Sequence, residues 1–333
     1  MTTLTRRNLA LGGLLALTSA IAAIAAMAPA HAQGSYPQRP IRFIVPFPAG
    51  GGTDNLTRLV GTKLTEAHGW PIVVENKPGA GGNLALDQVA KAPADGLTLV
   101  MAQTDNVVLN PLLYSKLTYN PDKDLRAVAL VAAGPAVLVV NADSPYKSLD
   151  DIVQAAKKEP GRLSFATPGT GTISHLVSEA WQKSSNVKFT HVPFRGMAQA
   201  MPDLLGGRID MYMGSIPTLL SHIQSGKVRA VGVTTASRSK LLPDVPTYTE
   251  SGIKGVELAS VWGVMAPAGT SDAIVRQLNE AINKVVNAPD TARKIADSGA
   301  ELITGTPQDM ARLYASDRAR LAPIVKSSGT TLD

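Results

Sequence analysis

The chain has 333 residues, no cysteine and a formal charge of +6. The missing cysteine excludes a disulfide scaffold, thiol chemistry and a lipid-modified cysteine anchor. The mild basic excess, with no basic run interleaved with aromatics, excludes a nucleic-acid surface. Roughly 300 residues after a leader exceed what one core usually spans, so two α/β lobes are the default.

The chain opens on Thr5-Arg6-Arg7-Asn8-Leu9, runs through Leu, Ala, Gly and Ile, and reaches Ala30-His31-Ala32. A basic start, an apolar centre and small residues at an A-x-A site predict a secretory leader over 1–32 rather than a membrane anchor. The paired arginines are similar to a twin-arginine export signal, with the general secretory route as the alternative. Removing Arg6 and Arg7 takes the formal charge from +6 to +4 (6 − 2), which suits a small acidic ligand.

Ile41 to Val45 is a short branched apolar run that predicts a buried strand, stopped by Pro46 and Pro48. Gly50, Gly51 and Gly52 follow. Leu56, Leu59, Val60 and Leu64 then fall on one face of a helix. A glycine loop between strand and helix offers bare backbone N–H groups beside the positive end of a helix dipole, a seat for a small anion. Asp54 is read first as a helix cap and second as a ligand contact. Ile72 to Asn76 predicts a second strand running into Lys77-Pro-Gly-Ala-Gly-Gly82. Thr98 to Ala102 predicts a third, ending at Gln103-Thr-Asp-Asn106, where Thr104 is a candidate hydroxyl contact. Ligands of parallel α/β sheets lie off the carboxyl ends of strands, so these loops are expected to converge on one crevice.

Val128 to Val140 predicts a strand with a break at Gly134-Pro135. Ser148-Leu-Asp-Asp151 has the pattern of a helix start. Leu163 to Ala166 predicts a strand, followed by Thr167-Pro-Gly-Thr-Gly-Thr-Ile-Ser-His175 and a helix with Ile173, Leu176, Val177, Ala180 and Trp181 on one face. Strand, glycine–threonine loop and helix thus recur, and two anion-type loops on two lobes imply a ligand clamped between them. Ser174 beside His175 lacks the G-x-S-x-G elbow of a nucleophile and reads as a capping hydroxyl or a polar ligand contact. His68, His191 and His222 are scattered without metal-ligand spacing, so no metal is expected. Nor does the first loop have the phosphate-loop or G-x-G-x-x-G spacing of a nucleotide cofactor site. Arg195 is a candidate partner for a ligand carboxylate. Further on, Pro202 to Gly207 reads as a helix remnant and turn, Arg208 to Ser215 as a strand, Leu219 to Ile223 as a helix, Val228 to Thr234 and Val261 to Ala266 as strands. Thr270-Ser-Asp272 and Thr306-Pro-Gln-Asp309 start the last helices. Lobe one is expected over 37–133 and 258–333, with lobe two, 134–257, inserted and two crossing strands acting as a hinge.

Ile44-Val-Pro-Phe-Pro-Ala-Gly-Gly-Gly-Thr-Asp54, Val74-Glu-Asn-Lys-Pro-Gly-Ala-Gly-Gly82, Val192-Pro-Phe-Arg-Gly196, Leu242-Pro-Asp-Val-Pro-Thr247 and Ala266-Pro-Ala-Gly-Thr270 together resemble the Bug family. These are the extracytoplasmic solute receptors of tripartite tricarboxylate transporters, and the likeness runs from about Pro37 to Asp333. The resemblance implies a type II periplasmic-binding fold, α/β in both lobes, that closes on a carboxylate without catalysis. It further implies that backbone N–H groups of Phe47, Ala49, Gly50, Gly51, Ala80, Gly81, Gly82, Thr170, Gly171 and Thr172 hold that carboxylate. Membrane permease subunits are the implied partner and a monomer the implied state. The chain departs from the family's pattern at Met213-Gly214-Ser215, where an acid or amide is usual, and at Phe194-Arg195, where Tyr-Lys is usual. Ser215 and Arg195 are therefore the expected contacts to the distal end of the ligand. Two other readings accompany this one: a sensor adaptor that reports the acid to a membrane kinase, and a secreted enzyme with an oxyanion cradle.

Overall fold

The computed structural model of the protein describes residues 36–332, so the expected leader lies outside the described residues. No helix among them is long and apolar enough to cross a membrane.

Three strand–loop–helix passages come first. β1 (Ile41–Val45) leads to α1 (Gly52–His68), β2 (Ile72–Asn76) to α2 (Asn83–Ala90), and β3 (Thr98–Gln103) to a π-type turn over Asp105–Leu109 and the short α3 (Asn110–Leu113). β1 pairs in parallel with both β2 and β3. All six residues of β3 and four of the five in β1 are buried, because helices cover both faces of a parallel sheet. Burying a branched or aromatic side chain contributes about 1.5–3 kcal/mol, which is why these short runs hold as strands.

After α4 (Pro121–Asp124) the chain enters β4 (Leu125–Asn141), a strand of 17 residues. It runs straight through Gly134-Pro135, where the sequence predicts a break. The reason lies in its partners. Leu125 to Pro135 pair antiparallel with β9 (Ala259–Pro267), and from Ala136 onward the strand pairs with β7 (Met211–Ser215) and β8 (Val228–Val233). Pro135 stands at that changeover, where a missing N–H is tolerated.

Between β4 and β9 lie α5 (Leu149–Lys158), β5 (Ser164–Thr167), α6 (Ile173–Ser185), β6 (Thr190–Pro193), α7 (Met197–Leu205) and α8 (Ile216–Gln224). Ser148 and Asp151 form the capping box that the sequence predicts. α7 is a full nine-residue helix rather than the expected remnant at 202–207. Ala200, Met201 and Leu204 bury its inner face, and that packing outweighs the interior Pro202. β5 pairs in parallel with β6 and β7. Past β9 come α9 (Asp272–Val286), α10 (Pro289–Asp297), β10 (Glu301–Leu302) and α11 (Pro307–Ser328). Ser271 caps α9, and Thr306 with Asp309 boxes α11. The strands run in the order β2-β1-β3-β9-β4-β7-β5-β6, with β8 and β10 also on β4. The carboxyl ends of β1, β2 and β3 lie on one side of β4 in that order, and those of β5, β6 and β7 on the other.

Candidate functional site

The first glycine loop is held by a buried carboxylate. Asp54 is not the cap of α1: that place falls to Gly51, whose backbone is extended. Asp54 sits in the first turn and accepts the Gly50 N–H at 2.9 Å, Asn76 Nδ2 at 2.9 Å and Arg58 Nε at 3.0 Å. Burial pushes its carboxyl up, but the donors from Arg58, Gly50 and Asn76 outweigh that and hold it below the usual carboxylate range. Asn76 also donates to the Phe47 carbonyl at 3.0 Å, tying β2 to the loop. The Gly50 amide is thus engaged inside the protein. Those of Ala49 and Gly51 donate to no acceptor among the described residues.

The second loop is pinned from the π-type turn. Asn106 Nδ2 and Asn110 Nδ2 both donate to the Gly81 carbonyl, at 2.6 and 3.0 Å, and Asn110 also donates to Asn83 Oδ1 at 2.6 Å. Gly82 is required here. Its φ is +91°, and a Cβ would come within 2.3 Å of Asn106 Nδ2 and 2.9 Å of Pro46 Cβ. Its amide closes the turn onto Gly79, whereas that of Ala80 has no acceptor among the described residues.

The third loop leads into α6. Thr172, not Ser174, caps that helix: its hydroxyl accepts the His175 N–H at 3.3 Å and donates to the Gly169 carbonyl at 2.8 Å. Ser174 lies buried one position into the helix. The Gly171 amide donates to His175 Nδ1 at 3.2 Å, while Thr170 keeps a free N–H among the described residues. His191, expected to stand apart, stacks on His175 with ring centroids 4.1 Å apart. Burial pushes both imidazoles down to about 4, that of His175 with help from the neighbouring ring, so both are neutral at pH 7. No group of three metal-ligating side chains occurs among the described residues.

These loops meet. The Gly52 amide donates to Thr218 Oγ1 at 3.2 Å, and Thr218 Oγ1 lies 2.8 Å from Ser215 Oγ at the end of β7. The Ile173 amide donates to Asp105 Oδ1 at 3.0 Å, joining the start of α6 to the end of β3. Two backbone amides therefore bridge the strand ends of the two halves of the sheet. Behind them, Thr53 Oγ1 donates to Gln103 Oε1 at 2.6 Å and Trp262 Nε1 donates to Thr53 Oγ1 at 2.9 Å. Thr104 faces away from this mouth, its hydroxyl accepting the Val261 N–H at 2.9 Å. Arg195 is exposed; its amide donates to Gln199 Oε1 at 3.1 Å. Sequence reading stops at Thr104 and misses Asp105, Asn106 and Thr218. The signal for the first two is the polar run Gln103 to Asn106 directly after an apolar strand.

Residues 56–330 match the family model described as the tripartite tricarboxylate transporter family receptor. The chain belongs to that family. The receptor is 34% identical over 320 residues to the protein BugT of Bordetella pertussis, covering 96% of this chain and 98% of that one. Among solved structures it resembles Rpa4515 of R. palustris with adipate (TM-score 0.86, 34% identity, 89% of this chain and 99% of that one). It also resembles MatC of Rhodopseudomonas palustris with bound malate (TM-score 0.82, 32% identity, 87% and 100%). The receptor therefore shares the α/β fold of these binding proteins, and its family is one of solute receptors, not enzymes.

Proposed function

We propose that this receptor captures a small carboxylate outside the cytoplasm and delivers it to the membrane permease subunits of a tripartite tricarboxylate transporter. The observation that carries the reading is the meeting of three strand-end loops that still present unengaged N–H groups at Ala49, Gly51, Ala80 and Thr170. In this reading residues 37–133 and 258–333 form one lobe and 134–257 the other, with β4 and β9 crossing between them. The carboxylate docks first on the loops after β1 and β2, whose shape Asp54, Asn106 and Asn110 fix in advance. The loop before α6 then closes on it. Each charge-assisted hydrogen bond contributes about 1.5–3 kcal/mol, so a few of them, less the ordering cost, give micromolar affinity, near −8 kcal/mol. Adipate and malate, held by two relatives, set the size of acid to try first. Closure presents one surface to the permease by differential affinity of the two shapes for ligand.

The test is a thermal-shift screen of the chain without residues 1–32 against mono-, di- and aromatic carboxylates. A bound acid raises the melting point by mass action. A screen in which no acid moves the midpoint, repeated by calorimetry at millimolar ligand, sinks the reading.

A further inference from the structure

The loop before α6 is held by more than its own residues. Within it, His175 Nδ1 accepts the Gly171 N–H at 3.2 Å, and the Thr172 hydroxyl donates to the Gly169 carbonyl at 2.8 Å. A second hold comes from the segment that follows α11. Gly329, with φ of +65°, ends that helix in the left-handed region, and Ser328 Oγ accepts the Thr330 N–H at 3.2 Å. Leu332 then lies beside Tyr114 as a one-residue parallel bridge. Its N–H donates to the Leu113 carbonyl at 2.8 Å, and its carbonyl accepts the Ser115 N–H at 3.2 Å. The side chains of Leu332 and Leu113 lie directly over Gly171. A Cβ there would come within 2.7 Å of Leu332 Cδ1 and 2.9 Å of Leu113 Cδ1, and φ is +80°, so only glycine fits. The neighbouring Tyr114 hydroxyl reaches the second loop, 3.3 Å from where a Cβ on Gly81 would stand. One short piece of chain thus touches two of the glycine loops, and Leu332 is fastened to it.

We propose that residues 329–332 form a strap that positions the loop before α6 for ligand capture, with Leu332 a positioning residue rather than a ligand contact. This inference rests on the reading that the loop closes on an acid. The physical reason is how the strap is anchored. Its backbone is bonded to the residues after α3, in the expected lobe of 37–133, whereas its leucine packs on Gly171, in 134–257. Leu332, Leu113 and Ile173 belong to one apolar cluster. An apolar contact is non-directional, so the loop can part from Leu332 and return to it without a hydrogen bond having to be remade. Covering Leu332 also favours the docked loop without occupying its polar groups, and the Thr170 N–H stays open to an acid. A loop ordered in advance lowers the entropy lost on capture.

The test uses the chain without residues 1–32 and the variants Leu332→Ala, Leu332→Ser and Leu332→Met. Hydrogen exchange without ligand, read by NMR at single amides, follows the loop through Gly171 and Ile173, with Gly50 in the first loop as reference. Alanine or serine should speed exchange at Gly171 and Ile173 by at least about tenfold and leave Gly50 within about twofold. Methionine, of similar volume, should keep the protection. Calorimetry with adipate, malate and benzoate then reads capture. Each acid that binds the wild-type chain should bind Leu332→Ser about fivefold to tenfold more weakly and Leu332→Met within about twofold. Unchanged protection in a folded Leu332→Ser, or unchanged affinity once protection is lost, overturns the inference and leaves the receptor reading standing. An equal rise at Gly50 overturns it too, because that marks loosening of the whole fold. Failure of these and all other acids of the screen to bind the wild-type chain overturns the receptor reading, and the strap's part in capture with it.

Discussion

Asp54, in the first turn of α1, and Asp105, just past β3, are both buried aspartates beside these loops, and they differ in who gave them their partners. Asp54 serves the first loop from within: its donors Gly50, Arg58 and Asn76 all lie between β1 and the end of β2. Asp105 takes its main donor from Ile173, 68 residues on and on the other side of β4. The first carboxyl is held below its usual range and the second is raised to about 6. A carboxylate wrapped by local donors is a structural brace. One that depends on a remote amide reports whether two parts of the sheet are together. The first glycine loop is thus braced from within its own part of the sheet, whereas the start of α6 draws part of its bonding from the end of β3, across β4.

The comparison can be broken most forcefully at Asp54. Asp54→Ala takes the shared acceptor from the Gly50 amide, Asn76 and Arg58 and should cost about 2 kcal/mol in urea melts. Asp105→Ala, which also removes a carboxylate that folding has to desolvate, should cost at least about 1 kcal/mol less at pH 7. Equal losses would erase the distinction between brace and bridge. Next in size is Gly51→Leu. The Gly51 backbone is extended, and an added Cβ meets only the Pro48 carbonyl, at 3.7 Å. The melting point should therefore stay within a degree or two while acid binding falls more than about 100-fold, near 2.7 kcal/mol. Retained affinity by calorimetry would remove that loop from the site.

Acid should separate the two regions further. His175 and His191 titrate near 4 in the fold against 6.5 when free, so stability is full above 6.5 and declines as pH falls toward 4. Asp105 works in the opposite sense. Its folded value of about 6 lies above the free value of 3.8, so its contribution is complete below 3.8 and lost as pH rises through 6. Two imidazoles outweigh one carboxyl, and the net loss from pH 7 to pH 4 should be on the order of 3 kcal/mol. Asp105→Ala should steepen it, which denaturant melts at several pH values can read. The smallest effect belongs to Thr218→Val, which takes the acceptor from the Gly52 amide across the cleft. Affinity should weaken about threefold to fivefold, roughly 0.5–1 kcal/mol, with the melting point lowered by a few degrees because the buried Gly52 amide loses its acceptor. A loss as large as that of Gly51→Leu would mean that the bridge, not the glycine seat, carries binding.

Much of this was readable from the chain. Branched apolar runs ending in glycine locate β1 and β2, and the capping residues Ser148, Ser271 and Thr306 mark their helices, because all of these signals are local. What escaped were long-range choices. Nothing near Asp105 in the sequence names Ile173 as its donor, and nothing near Pro135 says that β4 changes partners there. Thr172 and Ser174 are both competent caps, and the loop geometry around Gly171 decides between them. The stacking of His175 on His191 comes from β6 lying beside β5, a pairing that no spacing rule contains.

Trp262 joins several of these parts. Its indole N–H reaches Thr53 Oγ1 and Gln103 Oε1, next to the first loop and to Asp105, and its ring lies against Gly134 where β4 changes partners. The receptor thus carries a native fluorophore where β4 changes its partner strands. Trp70 beside His68, and Trp181 sealed among Phe165, Phe189 and Tyr248, supply a steady background. Emission from the unlabelled protein should therefore shift as ligand is titrated, making occupancy visible without any added dye.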